Sequence, residues 1–336
     1  MNIKELRQPR NITVAEMVYR NARNYPNKEA VVFKDKRLSY RDIDVLSNKV
    51  ANSIIELGIE KGDRVAMMLS NSDLFPVVYF GILKAGGVVV NLNTAFTKRE
   101  VSFILNNSGA KLFIFGKNFA EAMEGIQKEV TTVANFVCVG ENSLEGTLNF
   151  FELMQDSEGE RPPIDIEETD LCSIIYTSGT TGTPRGAVFD HRAVITNARD
   201  IGALNHRYHH FTRNLIMMPL FHSAPLHNHF LATFFVGGTS VILESFDPKL
   251  FLETIQKEKI TAFFGPAVVY LTCAKLFDLN QYDLSSVELF TMGGSPSSKA
   301  DQEMITKAFK LEGRLLQVYG LTEAGPTGCG LWPEVA

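Results

Sequence analysis

Tyr176-Thr177-Ser178-Gly179-Thr180-Thr181-Gly182-Thr183-Pro184-Arg185-Gly186 is the stretch on which the reading of this chain turns. It sets serine and threonine hydroxyls among three glycines and one arginine. Glycines let a backbone pass close to a ligand, and successive N–H groups in such a turn form a concave nest for anions. The hydroxyls add donors, and the Arg185 guanidinium is a planar fork that matches a phosphate through two hydrogen bonds. These residue types describe a polyphosphate clamp. Residues 172–176 read as a buried strand leading into it, and residues 191–203 as a helix leading away.

A P-loop would need G-x-x-x-x-G-K-[ST], and no window of the stretch meets that spacing. A flexible Gly/Thr/Ser linker is the commoner use of such a composition. The position between an apolar strand and a helix argues against a linker, because linkers seldom interrupt a strand–helix alternation.

The rest of the chain supplies that alternation. Its 336 residues allow about two domain-sized units, and 45% apolar with 21% charged residues is ordinary for a globular protein. A net charge of −5 argues against a broad nucleic-acid footprint. Cys138, Cys172, Cys273 and Cys329 form no C-x-x-C pair, and three of them lie in apolar runs. Buried thiols in a reducing compartment are therefore expected, rather than disulfides or zinc. The first residues carry no secretory signal. The longest apolar run, 230–243, is broken by Gly237-Gly238 and is too short to span a bilayer. A cytoplasmic location is expected, with peripheral membrane contact and oligomeric state left open.

Helical spacing over 13–24 and 40–57, strands at 30–33, 64–69 and 88–92, and further strands at 112–115 and 136–139 give repeated β-α-β units. Residues 155–168 are charged and contain Pro162-Pro163, which marks a boundary between a first α/β unit, 1–160, and a second, 161–336. The second unit has strands at 215–218, 240–243, 262–264, 287–292 and 315–318. Two doubly wound α/β layers follow.

In open sheets of this kind ligands bind beyond the carboxyl ends of the strands. Three predicted strand ends are unusual. Pro219-Leu220-Phe221-His222-Ser223 follows one, Gly293-Gly294-Ser295-Pro296 the next, and Tyr319-Gly320-Leu321-Thr322-Glu323 the last. Singly each has an ordinary reading: a satisfied structural histidine, a turn, a solvated carboxylate. Their order and shared placement favour a site.

In that order these strings resemble the motifs of the adenylate-forming superfamily, which includes acyl-CoA synthetases, firefly luciferases and amino-acid adenylation domains. YTSGTTGTPRG is similar to its phosphate-loop signature, with Arg185 where the family usually has lysine. PLFH is similar to its acyl-site motif, GGSP to its adenine-side loop and YGLTE to its ATP and metal motif. Leu83-Lys84-Ala85-Gly86-Gly87-Val88 through Asn91 resembles an early family motif.

The resemblance implies the α/β subdomains of the family's large N-terminal domain, without the small C-terminal one. It implies that Thr177, Ser178, Gly179, Thr180, Thr181, Gly182, Arg185 and Gly186 hold the phosphates of ATP. Gly294, Ser295 and Pro296 would border the adenine, with Tyr319 and Gly320 beside it. Thr322 would contact the α-phosphate, Glu323 would help hold Mg²⁺, and His222 would stand by the substrate carboxylate. Arg185, His222 and Thr322 are the catalytic candidates on this reading. The implied activity is formation of an acyl-adenylate and its capture by CoA. Phe221-His222-Ser223 stands where adenylation domains tend to have an Asp-containing motif, which favours a CoA ligase. The apolar run 230–236 is compatible with an acyl or aryl tail, and with a fatty or other apolar acid as substrate, though a core helix explains it equally. Family members continue beyond the point matching Ala336 into a ribose-binding Asp, a hinge and a small domain with an adenylation lysine. Residues 1–336 alone are therefore expected to bind nucleotide with little ligase activity. The alternative is a non-catalytic nucleotide-binding or interaction module of the same fold, to which Arg185 lends some support.

Overall fold

The computed structural model describes residues 12–140, 145–155, 157, 159–177, 184–204, 208–326 and 328–331. Its strands are β1 (Glu29–Phe33), β2 (Lys36–Ser39), β3 (Arg64–Met68), β4 (Val88–Asn91), β5 (Ala110–Gly116), β6 (Asn135–Val139), β7 (Leu148–Asn149), β8 (Leu171–Thr177), β9 (Arg185–Asp190), β10 (Arg213–Ile216), β11 (Thr239–Ile242), β12 (Ala262–Gly265), β13 (Leu289–Gly293), β14 (Leu315–Tyr319) and β15 (Cys329–Leu331). The helices are α1 (Val14–Asn24), α2 (Tyr40–Glu56), α3 (Leu74–Lys84), α4 (Lys98–Ser108), α5 (Phe150–Gln155), α6 (His191–Leu204), α7 (Leu231–Phe235), α8 (Pro248–Glu258), α9 (Ala267–Leu276) and α10 (Lys299–Phe309).

Local chemistry sets several of these boundaries. Ser39 with Asp42, Thr97 with Glu100 and Ser298 with Asp301 form reciprocal capping boxes that start α2, α4 and α10. Gly109 ends α4 at φ 66°, a left-handed backbone that glycine adopts without strain. Helix α3 is buried on every side from Phe75 to Lys84, which is why its sequence is apolar all round rather than striped.

Two sheets form. One has seven strands in the order β7-β6-β5-β3-β4-β8-β9, the other eight in the order β15-β14-β13-β12-β10-β11-β1-β2. Pairing is parallel except at the hairpins β1/β2 and β8/β9 and at the β14/β15 edge. A single apolar cluster joins the facing sides of both sheets, with Val65, Val89 and Ile114 from one and Val31, Ile216 and Ile242 from the other. Helices α8, α9 and α10 cover the outer face of the eight-stranded sheet, and α4 that of the seven-stranded one.

The expected α/β architecture is present, but the sheets do not part at residue 160. Strands β8 and β9 lie after it and belong to the sheet of β3 to β7, while β1 and β2 lie before it and belong to the sheet of β10 to β15. Chain order does not follow sheet membership. Cys138, Cys172 and Cys273 are buried free thiols and Cys329 is exposed. Burial holds the Cys273 thiol up to about 12, so it stays protonated. Among the described residues no helix is long and apolar enough to cross a membrane.

Candidate functional site

The strand–clamp–helix expectation is corrected first. Arg185 opens a strand, β9, which pairs antiparallel with β8 from Thr177↔Arg185 to Leu171↔Asp190. The Gly/Thr stretch is therefore the connection of a β-hairpin, not a strand-to-helix turn, and helix α6 begins only after β9. Ser178, Gly179, Thr180, Thr181 and Gly182 lie outside the described residues. Thr177 and Arg185 stand at the base of the hairpin, where the Thr177 hydroxyl lies 3.5 Å from the Arg185 carbonyl.

Facing this base is the turn after β14. Thr322 and Glu323 sit in a short 3₁₀ turn at Thr322–Ala324. The Glu323 carboxylate accepts from the Thr177 hydroxyl at 3.3 Å. One residue earlier, the Thr322 hydroxyl meets the Ser223 hydroxyl at 2.9 Å. Adjacent residues of one sheet's edge turn thus touch the hairpin base of the other sheet and the loop that carries His222.

Gly320 makes that turn possible. A Cβ on Gly320 would land inside the Pro326 carbonyl, so only glycine lets the chain fold back there.

Below the turn lies a cavity of about 380 Å³, lined among others by His222, Asn228, Gly294, Tyr319, Gly320 and Thr322. Tyr319 stands at its mouth, 62% exposed. Ser295 and Pro296 are exposed beyond the cavity lining. His222 is open to solvent on one side and desolvated on the other, which lowers its pKa below the usual value. His222, Asn228 and Gly294 line the cavity, whereas Val268 is 62% exposed elsewhere. The apolar run 230–236 does not line it. Phe230, Leu231 and Phe234 are fully buried, and Phe230 and Phe234 pack on Phe80. The core-helix reading of that run is the correct one.

Three features of the site went unread in the sequence. Residues Ala224–Phe230 form a π-helix, a geometry concentrated at functional sites, and it carries Asn228 and His229 to the cavity and buried His227 toward β8. Asn71, beyond the end of β3, donates from Nδ2 to the carbonyls of Met218 and Leu243 at 3.0 and 3.1 Å, and accepts from Leu220 N–H at 2.8 Å. One buried amide therefore fixes the loop that presents His222 from across the sheet interface. His227 Nε2 lies 3.5 Å from the Ser173 hydroxyl of β8, a second tie between the sheets. Asn71 was open to the strand-end rule that found the other motifs, since polar Ser70-Asn71-Ser72 follows an apolar strand.

The donor set suits magnesium arriving with a nucleotide. Mg²⁺ takes one or two carboxylates with substrate phosphates and water rather than a full protein cage. Exposed Glu323 beside the Thr177 hydroxyl supplies hard oxygens, and among the described residues no cluster of three metal-ligating side chains competes with it.

Fold and site together define a two-sheet α/β protein whose ligand cleft opens at strand carboxyl ends where the sheets meet. Residues 18–336 match the AMP-binding enzyme family, and the chain belongs to it. It is 30% identical over 325 residues to 4-coumarate–CoA ligase 2 of Solanum tuberosum, covering 95% of this chain and 58% of the relative. To 4-coumarate–CoA ligase CCL1 of Humulus lupulus it is 32% identical over 294 residues, covering 86% and 53%. The chain thus spans a little over half the length of these relatives. Among solved structures, the inhibitor-bound N-terminal domain of FACL13 from Mycobacterium tuberculosis superposes with TM-score 0.87 at 28% identity, covering 96% of this chain and 79% of that one. The anthranilate CoA ligase AuaEII bound to anthranoyl-AMP superposes with TM-score 0.92 over the whole chain and 64% of its own; at 24% identity it speaks for the fold.

Proposed function

We propose that the protein belongs to an ATP-dependent acid–thiol ligase that activates a carboxylic acid as its acyl-adenylate and passes the acyl group to CoA. The observation that carries this reading is the pair Thr322 and Glu323, which joins the base of the β8–β9 hairpin to the wall of the cavity. Adenylation needs a carboxylate oxygen brought in line with the α-phosphorus while pyrophosphate departs. Bringing two anions together in one cleft is mostly a matter of positioning and fixed charge.

On this reading the hairpin from Thr177 to Gly186 takes the β- and γ-phosphates, with Arg185 supplying the positive charge. Thr322 donates to the α-phosphate, and its contact with Ser223 fixes the hydroxyl next to the acyl-side loop. Magnesium, when bound through Glu323, spreads the phosphate charge. Tyr319, Gly320 and Gly294 border the adenine, with Ser295 and Pro296 at the rim. His222, with its pKa lowered, is neutral near pH 7 and orients the incoming carboxylate without an ion pair that would hold it back. A cytoplasmic location accords with the substrates.

Titration calorimetry with Mg·ATP tests the assignment. Saturable binding is expected, weakened on the order of tenfold in Thr177→Val and in Glu323→Gln. No binding to a folded chain, or undiminished affinity in both variants, would sink it.

A further inference from the structure

The inner end of the cavity bears on which acid fills it. By register Phe264 of β12 lies beside Thr291 of β13, and Thr291 beside Leu316 of β14. All three line the cavity and form a row across its floor. From the π-helix, His229 stacks on Phe264, ring centroids 4.5 Å apart and planes 12° from parallel. Behind His229 stand buried Tyr208 and Asn214, in contact with its ring and its carbonyl.

Two hydrogen-bonding positions in this floor are unspent. The Thr291 hydroxyl has no partner, in a residue only 2% exposed. An unpaired buried hydroxyl is costly, and one persists where water or a ligand completes it. The second position is on His229. The Tyr208 hydroxyl accepts from Asn214 Nδ2 at 3.1 Å and lies 3.2 Å from His229 Nδ1. When Tyr208 gives its proton to Nδ1, the neutral ring carries its own on Nε2. Burial lowers the pKa of this ring to about 3, so it stays neutral. In that tautomer Nε2–H is left as a donor.

Charge narrows the class. Among the described residues no Asp, Glu, Lys or Arg lines the cavity. A second carboxylate or an ammonium group would enter without a counter-charge, which is strongly unfavourable.

We infer that the cavity selects a compact carboxylic acid carrying a neutral oxygen, hydroxyl or keto, at the end remote from its carboxylate, held by His229 Nε2–H and the Thr291 hydroxyl. This rests on the adenylation reading above. It sets aside the plain apolar acid that the 230–236 run suggested.

The test titrates the 336-residue chain with acyl-sulfamoyl adenosines made from para-hydroxyphenylpropanoic acid, phenylpropanoic acid and dodecanoic acid. The hydroxylated probe is expected to bind on the order of tenfold tighter than its deoxy partner. Thr291→Val removes the hydroxyl at nearly constant volume and is expected to bring that ratio close to one. His229→Phe keeps the stack, removes the N–H, and serves if the first variant does not fold. Equal affinity for the pair in the parent chain, or tighter binding of the dodecanoyl probe, overturns the inference and leaves adenylation standing. Failure of every probe also overturns it, and failure of Mg·ATP in the same folded sample takes the adenylation reading down as well.

Discussion

Asn71 shows how much of this site rests on one side chain that makes no contact with the cavity. Its amide satisfies three backbone groups from the loops after β10 and β11. Asn71→Ala would strand them and is expected to cost about 2–4 kcal/mol in urea denaturation. Asn71→Asp keeps the acceptor for Leu220 but turns a carboxylate oxygen toward two carbonyls. Its stability deficit is expected to shrink on acidification, when the protonated carboxyl can donate again; a deficit independent of pH would contradict this account. Gly320→Ala acts on the opposite side of the cavity. Its methyl displaces the turn that carries Thr322 and Glu323, so Mg·ATP affinity should fall tenfold or more by calorimetry, with a smaller effect on thermal unfolding than Asn71→Ala.

At the scale of elements, the π-helix and the ends of its neighbours gather histidines that must remain neutral. Burial holds His191 near 4 and His227 and His229 near 3, against an ordinary 6.5. His191 Nδ1 accepts from Val14 N–H at the start of α1, which only the unprotonated ring can do. The unfolded chain binds protons near pH 6.5 that the folded chain refuses until about pH 4 or below. Stability from these groups is complete above that window and is lost as pH falls through it, by roughly 2 kcal/mol per histidine at pH 5. The urea midpoint should therefore drop between pH 7 and pH 5, with a shallower slope in His227→Gln. A midpoint flat across that range would refute the assignment.

Legibility in the sequence follows the same divide between local and distant causes. The capped helices α2, α4 and α10 and the apolar strands were readable because their signals lie within a few residues. The motifs at the ends of β10, β13 and β14 were readable because small and polar residues interrupt apolar runs there. Strand β9 was not, since Arg185-Gly186-Ala187-Val188-Phe189-Asp190 is a half-exposed edge without strict alternation. Its pairing with β8, not its own composition, makes it a strand. The π-helix was missed because Ala224-Pro225-Leu226-His227-Asn228-His229-Phe230 has neither a helical stripe nor a strand period. The ties of Asn71 and His227 join residues 147 and 54 positions apart, beyond any window of local sequence.

For the whole molecule, the two sheets share one core and each takes a hairpin from the far side of residue 160. Neither can lose its structure while the other keeps its own. Far-ultraviolet dichroism and tyrosine fluorescence should therefore report one coincident urea transition, and separated chains 1–160 and 161–336 should each fail to fold alone. Two resolved transitions would show the sheets to be independent.

The exchanged hairpin also has a history within each molecule's synthesis. Strand β1 pairs with β11, and the Glu29 carbonyl of β1 accepts from the Thr239 hydroxyl, 210 positions further along. At about 5–20 residues per second, roughly 10–40 s of translation separate the two. For most of that interval Ala30-Val31-Val32-Phe33, buried in the finished fold, has β2 on one side and lacks β11 on the other. The strand made first at that edge is thus among the last to be seated.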